Sequence, residues 1–197
     1  MTRKMPRDQR SAAIIDAAVL EFAEKGFENA SMTSIAKRAR ISKGGVYHHF
    51  PSKDAILAAA NERISEPARL ALNAAAHVES PAERLTTYIQ GYLEHWAANR
   101  KELGFIFTSI AKSIHDPALF APYDAYIAET VAGLAAVYQE GVDQGEFRDL
   151  DCEAQALALA AALDGVTLYL NAHADEPSPA ARMAGQLTAA LVDSLRP

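Results

Sequence analysis

The chain has 197 residues, half of them apolar, which suits one fair-sized domain, or a small domain joined to a larger one, without disulfides or metals. A single cysteine, Cys152, no apolar run of about 18 residues and no signal-peptide pattern together predict a cytoplasmic protein without membrane spans. The net charge of −6 divides unevenly, because residues 1–54 carry +4 and the remainder carries −10. This division favours contact of the N-terminal part with a polyanion, although a chance excess of that size would explain it equally well.

The first predicted helix, RDQRSAAIIDAAVLEFAEKG, carries one apolar stripe. Ile14, Ala18 and Phe22 recur at intervals of four residues, which places them on one face of the helix. Gly26 at its end is a natural helix stop. The pattern predicts an amphipathic helix that closes at Gly26.

Two short helices follow, separated by a turn. Ser31 is a good N-cap for SMTSIAKRA, and Ser42 is a good N-cap for KGGVYHHF. Pro51 ends the second helix because the residue before a proline avoids helical backbone angles. A helix over 31–39, a turn of about three residues and a helix over 42–49 form a helix-turn-helix by their spacing.

The remaining chain also has a helical pattern. Ser52 is predicted to cap a longer helix that runs through residue 78, with a kink at Pro67. Beyond it, segments rich in Ala and Leu are separated by Pro, Gly, Asp or Ser, and none shows the alternation of a strand. The sequence therefore predicts an all-α protein of about nine helices, with an N-terminal helix-turn-helix domain and a larger C-terminal helical domain.

The second helix of a helix-turn-helix enters the major groove of DNA with its N-terminal residues leading. Lys43, at that end, can bind a guanine edge or a phosphate. The Tyr47 hydroxyl and Lys53 suit backbone phosphates, and Lys53 lies beside a helix N-terminus, which also attracts phosphate. Further candidate contacts are Thr33 and Arg38 on the first helix and His48 on the second.

Each of these roles has a plainer alternative. Tyr47 can simply pack against its neighbours, and the adjacent His48 and His49 can be interpreted as a metal pair. Neighbours in a helix point about 100° apart, however, and no cysteine or carboxylate completes such a site. We therefore predict no metal and no other cofactor.

The stretch FENASMTSIAKRARISKGGVYHHFPSKDAIL resembles the DNA-binding domain of the tetracycline-repressor (TetR) family. That family carries an Ile-Ala-x-x-Ala helix, a Gly-Val-Ser turn, a Lys-Gly-Thr-Leu-Tyr recognition helix and a Phe-x-x-Lys step into the fourth helix. The resemblance covers roughly residues 10–57, and the matching positions are Ile35, Ala36, Ala39, Ser42, Lys43, Gly44, Tyr47, Phe50 and Lys53. It implies that the matching residues of the turn, the recognition helix and the step belong to a DNA-binding surface.

Two positions depart from the family pattern. Arg40 stands where the family usually has a turn glycine, so a left-handed backbone there costs about 1 kcal/mol, and Arg40 can gain a phosphate contact in exchange. Gly45 stands where threonine is usual, which removes a side chain able to read a base. Together, Gly44 and Gly45 leave a bare backbone at the start of the recognition helix, which permits close approach to DNA.

The resemblance fades beyond residue 60, where the family's layout implies a body that binds a small ligand and forms a dimer. The segments CEAQALALAAALDGVTLYLNAH and PAARMAGQLTAALVDSL are apolar on more than one face, so each is expected to be covered on two sides. Two such helices per chain predict a four-helix dimer interface, with a purely internal core as the alternative.

Aromatic residues are concentrated in the middle helices. Tyr88, Tyr92 and Trp96 recur every four residues and share one helix face. Tyrosine and tryptophan suit a pocket for a mostly apolar ligand, although core packing is the alternative for each of them. Asp164 is predicted to be a structural hydrogen-bonding residue. The candidate ligand-binding residues are Tyr92, Trp96, Phe107, Tyr126 and Thr167.

The sequence predicts a homodimeric, ligand-responsive transcriptional regulator, with a DNA-binding domain over 1–52 and a ligand-binding and dimerisation domain over 53–197. The form expected from the family is a repressor released from a pseudo-palindromic DNA operator by a small, mostly apolar molecule. An alternative function is that of an enzyme with His95 or His115 as general base. The sequence shows no nucleophile–base spacing, phosphate-binding loop or metal-ligand cluster that would support it. The alternative of a small-molecule carrier that has lost DNA binding stays open, because Arg40 and Gly45 depart from the family pattern.

Overall fold

The computed structural model describes residues 6–62, 66–113, 117–172 and 180–197. Over these ranges it contains ten α-helices, a 3-10 helix at Asp193–Leu195 and no β-strand, which confirms the all-α prediction. No helix in the described ranges is both long enough and apolar enough to cross a membrane. The α-helices are α1 (Arg7–Asn29), α2 (Met32–Ala39), α3 (Lys43–His49), α4 (Lys53–Glu62), α5 (Glu66–Ala75), α6 (Pro81–Ala98), α7 (Arg100–Ser113), α8 (Pro117–Asp143), α9 (Cys152–Ala172) and α10 (Ala180–Leu191).

Residues 1–64 and 101–123 form one compact unit. Within it α1 packs against α2 and α4, and α2 packs against α3. The predicted stripe of α1 lies at the centre, since Ile14, Ala18 and Phe22 are at most 1% exposed. Ile35 of α2 and Val46 of α3 are fully buried as well. Burial of these apolar side chains holds α2 on α1 and α3 on α2.

Gly26 interrupts α1 rather than ending it. Its backbone, at φ 75° and ψ 157°, is not helical, and three further residues continue to Asn29. The N–H of Ala30 donates to the Gly26 carbonyl at 3.2 Å. The predicted break is confirmed, because glycine adopts this positive φ at little cost. The predicted end of the helix at this residue is wrong by one short turn.

Ser52 caps α4 as predicted, since its hydroxyl accepts a hydrogen bond from the Ala55 N–H at 3.1 Å. Of the helix predicted from Ser52 through residue 78, the structure describes two helical stretches, α4 and α5, the second of which ends at Ala75. Residues 63–65, between them, lie outside the described residues, as does the side chain of Pro67.

Residues 65–100 and 124–197 form the second compact unit. In it α6 packs against α5, α9 and α10. Its core includes Leu85 and Leu93 of α6 and Leu134 and Tyr138 of α8, each at most 1% exposed. The Tyr138 hydroxyl donates to the Leu191 carbonyl at 3.0 Å, which ties α8 to the end of α10. This division into units follows packing, and the functional boundary between residues 52 and 53 stays a prediction.

Candidate nucleic-acid interface and ligand-binding residues

A reciprocal pair of hydrogen bonds starts α2. The Ser31 hydroxyl accepts from the Ser34 N–H at 3.0 Å, and the Ser34 hydroxyl accepts from the Ser31 N–H at 3.0 Å. This capping box satisfies backbone donors that a helix N-terminus leaves without partners. The local sequence therefore defines where the first helix of the helix-turn-helix begins.

Arg40 forms the turn between α2 and α3 in the predicted left-handed conformation, at φ 55° and ψ 38°. Its N–H donates to the Lys37 carbonyl at 3.3 Å, and the Ile41 N–H donates to the Ala36 carbonyl at 3.0 Å. These bonds use carbonyls at the end of α2 and offset the strain of a non-glycine residue. The Arg40 side chain is exposed, so it can reach a phosphate.

The recognition helix α3 presents its predicted contact residues to solvent. Ser42 caps the helix by accepting from the Gly45 N–H at 3.1 Å. Lys43, Tyr47 and His48 are exposed, and the Lys43 ammonium lies 6.0 Å from the centre of the Tyr47 ring. Tyr47 is 47% exposed, which is high for an aromatic side chain and disfavours the alternative that it only packs.

The two glycines of α3 differ in their surroundings. A Cβ atom added to Gly44 would have no other atom within 4 Å, so this position is open. A Cβ atom added to Gly45 would lie 2.7 Å from Cγ2 of Ile41 and 3.1 Å from the Ser42 hydroxyl. The absence of a side chain at Gly45 therefore has a reason inside the chain, whereas at Gly44 no such reason exists among the described residues.

On α2, Thr33 is exposed, but Arg38 is occupied inside the protein. The Arg38 guanidinium donates from Nε to Glu21 at 2.7 Å and also pairs with Glu24. Glu21 is only 3% exposed and also accepts from the Lys25 ammonium at 2.6 Å. The sequence signal for this cluster is a carboxylate on the apolar stripe of α1, a signal that the predicted contacts did not include.

Burial alone would raise the pKa of the Glu21 carboxyl. Hydrogen bonds from Lys25, Arg38 and Ser34 outweigh it and lower the pKa to about 2. Glu21 is therefore an anion at neutral pH, and it holds Arg38 against α1. Arg38 becomes a structural residue between α1 and α2 rather than a ready phosphate contact.

Lys53 is also engaged within the unit. Its ammonium donates to the carbonyls of Phe27, Glu28 and Ala30, at 2.6, 3.3 and 2.9 Å. The same atom lies 4.4 Å from the centre of the Phe27 ring. The predicted phosphate contact of Lys53 is untested, and these bonds give its ammonium another role.

His49 points back towards α1, unlike its exposed neighbour His48. Its Nδ1 lies 2.9 Å from the Ser11 hydroxyl. Burial, followed by the positive charges of His48, Arg7 and Arg10, lowers the pKa of His49. The two histidine rings stand at 86° to one another, and no cluster of metal-ligating side chains occurs in the part of the chain that is described.

Four of the predicted ligand-binding residues lie in the second unit, where three of them are close together. The Tyr92 hydroxyl donates to Asp164 at 3.3 Å, and its ring packs edge-on against Trp96 with centroids 6.2 Å apart. A hydrogen bond joins Tyr92 to Tyr126, and burial, with the nearby Asp164, raises the pKa of Tyr126 to about 12. The structural role predicted for Asp164 agrees with these contacts.

Thr167 is buried and donates to the Asp164 carbonyl at 2.8 Å, within its own helix. Phe107 is half-buried and belongs to the first unit. A groove of about 290 Å³ lies between α5, α6 and α8, and Tyr88 lines it, but the five predicted residues do not. Those five residues therefore stay predictions. His115 lies outside the described residues.

Comparison with known families accounts for most of the chain. Residues 14–60 match the family model of bacterial regulatory proteins of the tetR family. Residues 81–197 match the family model of the BetI-type transcriptional repressor, C-terminal. The first match covers the helix-turn-helix and the second covers more than half of the chain.

Individual relatives agree. The chain is 26% identical over 164 residues to the HTH-type transcriptional regulator BetI of Burkholderia thailandensis, covering 82% of each chain. It is 28% identical over 163 residues to the BetI regulator of Serratia proteamaculans, covering 81% of this chain and 79% of that one. These relatives are transcriptional regulators and not enzymes.

Solved structures share the fold. A TetR transcription regulator from Haloarcula marismortui superposes with a TM-score of 0.84 at 19% identity, covering 96% of this chain and 100% of that one. FadR from Bacillus subtilis, in complex with stearoyl-CoA, superposes with a TM-score of 0.81 at 20% identity, covering 94% and 99%. From the helix-turn-helix, the two family matches and these relatives, the chain belongs to the TetR family of bacterial transcriptional regulators, with a C-terminal part of the BetI type.

Proposed function

We propose that this chain is a cytoplasmic, homodimeric repressor that leaves a pseudo-palindromic DNA operator when a small, mostly apolar molecule binds. The observation that carries the proposal is the exposed face of α3, where Lys43, Gly44 and Tyr47 lie on a capped helix that packs against α2. A short basic helix without covering side chains is the shape that enters a major groove.

Two copies are needed to read a pseudo-palindrome, because each recognition helix reads one half-site. The half-sites of a helix-turn-helix dimer lie about 34–36 Å apart, one turn of B-DNA. Lys43 and Arg40 supply charge for the phosphates, and Tyr47 and Thr33 supply hydroxyl groups. Ser42 and Gly45 hold the start of the helix in shape, and His48 extends the exposed surface towards its C-terminal end.

Exposed apolar side chains on α9, together with a glycine on each of α9 and α10, support the dimer. Leu157 and Leu168 of α9 are 54% and 51% exposed, and Tyr169 is 41% exposed. Gly165 of α9 and Gly185 of α10 would accept a Cβ atom with nothing within 4 Å. Glycine in a helix interior costs about 1 kcal/mol relative to alanine, so a partner helix that approaches closely gives these glycines a purpose.

A ligand site in the second unit is supported by its buried aromatic side chains. Tyr92, Trp96 and Tyr126 combine large apolar rings with polar atoms, a combination typical of ligand pockets. The ligand must bind the DNA-free conformation more tightly than the DNA-bound one, because equal affinity would shift nothing. FadR, which shares the fold, was crystallised with stearoyl-CoA, and a largely apolar effector is the analogous expectation here.

A mobility-shift assay with fragments of the source genome tests the DNA-binding part. We expect the wild-type chain to retain specific fragments and the double variant Lys43→Ala, Tyr47→Ala to lose them. Arg148→Ala, which removes an exposed cation from the second unit, serves as the control and should bind normally. Equal binding by the double variant would show that α3 is not the DNA-binding element.

The ligand part can be tested by fluorescence, because Trp96 is the only tryptophan of the chain and is 3% exposed. A screen of apolar and aromatic compounds should find one that changes the emission of Trp96 and also releases DNA in the mobility-shift assay. Compounds that release DNA without changing the emission would place the ligand site elsewhere.

A further inference from the structure

Lys53 occupies an unusual electrostatic position for a residue at the start of a helix. It is the first residue of α4, where the partial positive charge of a helix N-terminus disfavours a cation. Its side chain instead reaches the C-terminal end of α1, where carbonyl groups carry partial negative charge. One ammonium therefore joins the end of α1 to the start of α4.

The bonds of Lys53 lie where α1 ends and the chain turns towards α2. The Ser31 N–H, which would reach the Phe27 carbonyl if α1 continued, donates to Ser34 in the capping box instead. Lys53 thus closes the end of α1 at the point where the chain turns into α2.

The hydrogen-bonding capacity of Lys53 is fully used. An ammonium has three N–H donors, and three carbonyls lie within 3.3 Å of Nζ, at Phe27, Glu28 and Ala30. The Phe27 ring adds a cation–π contact at 4.4 Å and is itself 5% exposed. A phosphate would have to displace at least one of these partners.

We propose that Lys53 is a positioning residue, which fixes α4 to the end of α1 and so orients α2 and α3 for DNA, rather than a phosphate contact. The inference rests on the proposed function and assigns Lys53 a different part in it. Lys43 provides the contrast, because its side chain is exposed on α3 at the surface that faces DNA.

The test compares three variants, Lys53→Met, Lys53→Arg and Lys43→Met. The DNA is the shortest duplex to which the wild-type chain binds specifically in the mobility-shift assay. DNA affinity is measured by fluorescence anisotropy across a salt series, and stability by urea unfolding without DNA. A variant of the proposed dimer loses one phosphate contact from each protomer, which reduces the slope of log affinity against log salt by about 1.8, at about 0.9 for each contact. We expect that reduction, with an unchanged urea midpoint, for Lys43→Met.

For Lys53→Met we expect a lower urea midpoint and weaker DNA binding by the same factor at every salt concentration. Lys53→Arg keeps the charge, but its planar guanidinium does not match three converging carbonyls, so it should also bind DNA more weakly. Its expected loss keeps the test decisive if Lys53→Met fails to fold.

Three results would overturn the inference. The first is a slope reduced by Lys53→Met as much as by Lys43→Met, with normal binding by Lys53→Arg, as for a phosphate contact. The second is a lower urea midpoint with unchanged DNA affinity, as for a purely structural residue. The third is no change in either measurement. Failure of the wild-type chain to bind any fragment would instead contradict the proposed function itself.

Discussion

Cγ2 of Ile41 occupies the space into which a side chain at Gly45 would extend, 2.7 Å from where its Cβ atom would lie. Because Gly45 has no side chain, Ile41 in the turn before α3 can pack directly against the first turn of α3. Ser42, whose hydroxyl caps the helix, lies on the same side at 3.1 Å.

We predict that Gly45→Ala destabilises the fold by about 1 kcal/mol, because overpacking outweighs the gain in helix propensity. The added methyl group must push Ile41 or the Ser42 cap aside. Urea unfolding measures the loss, and the double variant Ile41→Ala, Gly45→Ala should lose less than the sum of the two single variants. Gly44→Ala is the matched control, and it should be at least as stable as wild type. A Gly45→Ala protein of wild-type stability would refute the packing explanation.

The buried carboxylate of Glu21 is expected to matter more than its exposed neighbour Glu24. Glu21→Gln leaves Arg38 and Lys25 without their shared anion, and we predict a loss of about 2 kcal/mol in the free energy of unfolding. Glu24, whose side chain is 46% exposed, pairs at the surface, so Glu24→Gln should cost about 0.5 kcal/mol or less. Equal effects of the two substitutions in urea unfolding would contradict the assignment.

The lowered pKa of Glu21 also predicts how the free energy of unfolding depends on pH in the acid range. Its folded pKa of about 2 lies below the ordinary 4.5, so its contribution is fully present above pH 4.5 and is lost as the pH falls towards 2. Wild type should therefore lose more stability than Glu21→Gln over this range. Parallel pH profiles of the two proteins would show that Glu21 is not the titrating group.

The lowered pKa of His49 predicts a second loss of folding stability, at a pH nearer neutrality. Its pKa is lowered in the folded chain, so its neutral form is favoured and its contribution is complete above the ordinary value of 6.5. That contribution is lost as the pH falls below 6.5, since protonation places a charge on a partly buried ring and close to the charges of His48, Arg7 and Arg10. His49→Gln should remove this part of the pH dependence in thermal unfolding, whereas His48→Gln should retain most of it, because burial of His49 is the larger cause.

The apolar face of α9 predicts the oligomeric state. Leu157→Glu and Leu168→Glu place charges on the proposed dimer interface, and we expect monomers in sedimentation velocity at concentrations where wild type is dimeric. Leu70→Glu is the matched control, because Leu70 is a 56% exposed leucine on α5, outside this face. Dimers of unchanged strength in both α9 variants would place the interface elsewhere.

Local sequence rules predicted the helix caps of the helix-turn-helix and of α4 well. The caps at Ser31, Ser42 and Ser52 depend on neighbours within a few residues, so the local sequence defines them. The left-handed turn at Arg40 was expected from the resemblance to the TetR family, which usually has glycine at that position. The ammonium of Lys53 was harder to place, because its partners lie 23 to 26 positions earlier in the chain.

The same distance in sequence hid two other contacts. Arg38 pairs with Glu21 across 17 positions, and His49 meets Ser11 across 38 positions. In the folded unit, where α2 packs against both α1 and α3, such charged and polar side chains bind partners inside the protein. Tertiary packing, and not local propensity, decides which cations remain for the phosphates.

Selection of DNA from a random duplex library tests the central claim most directly. The library needs a variable region of about 30 base pairs, enough for two half-sites one helical turn apart. The account predicts that wild type enriches a pseudo-palindrome whose half-sites are centred about 10 base pairs apart, and that Lys43→Ala, Tyr47→Ala enriches no sequence. Enrichment of the same sequence by the double variant, or of none by wild type, would contradict it.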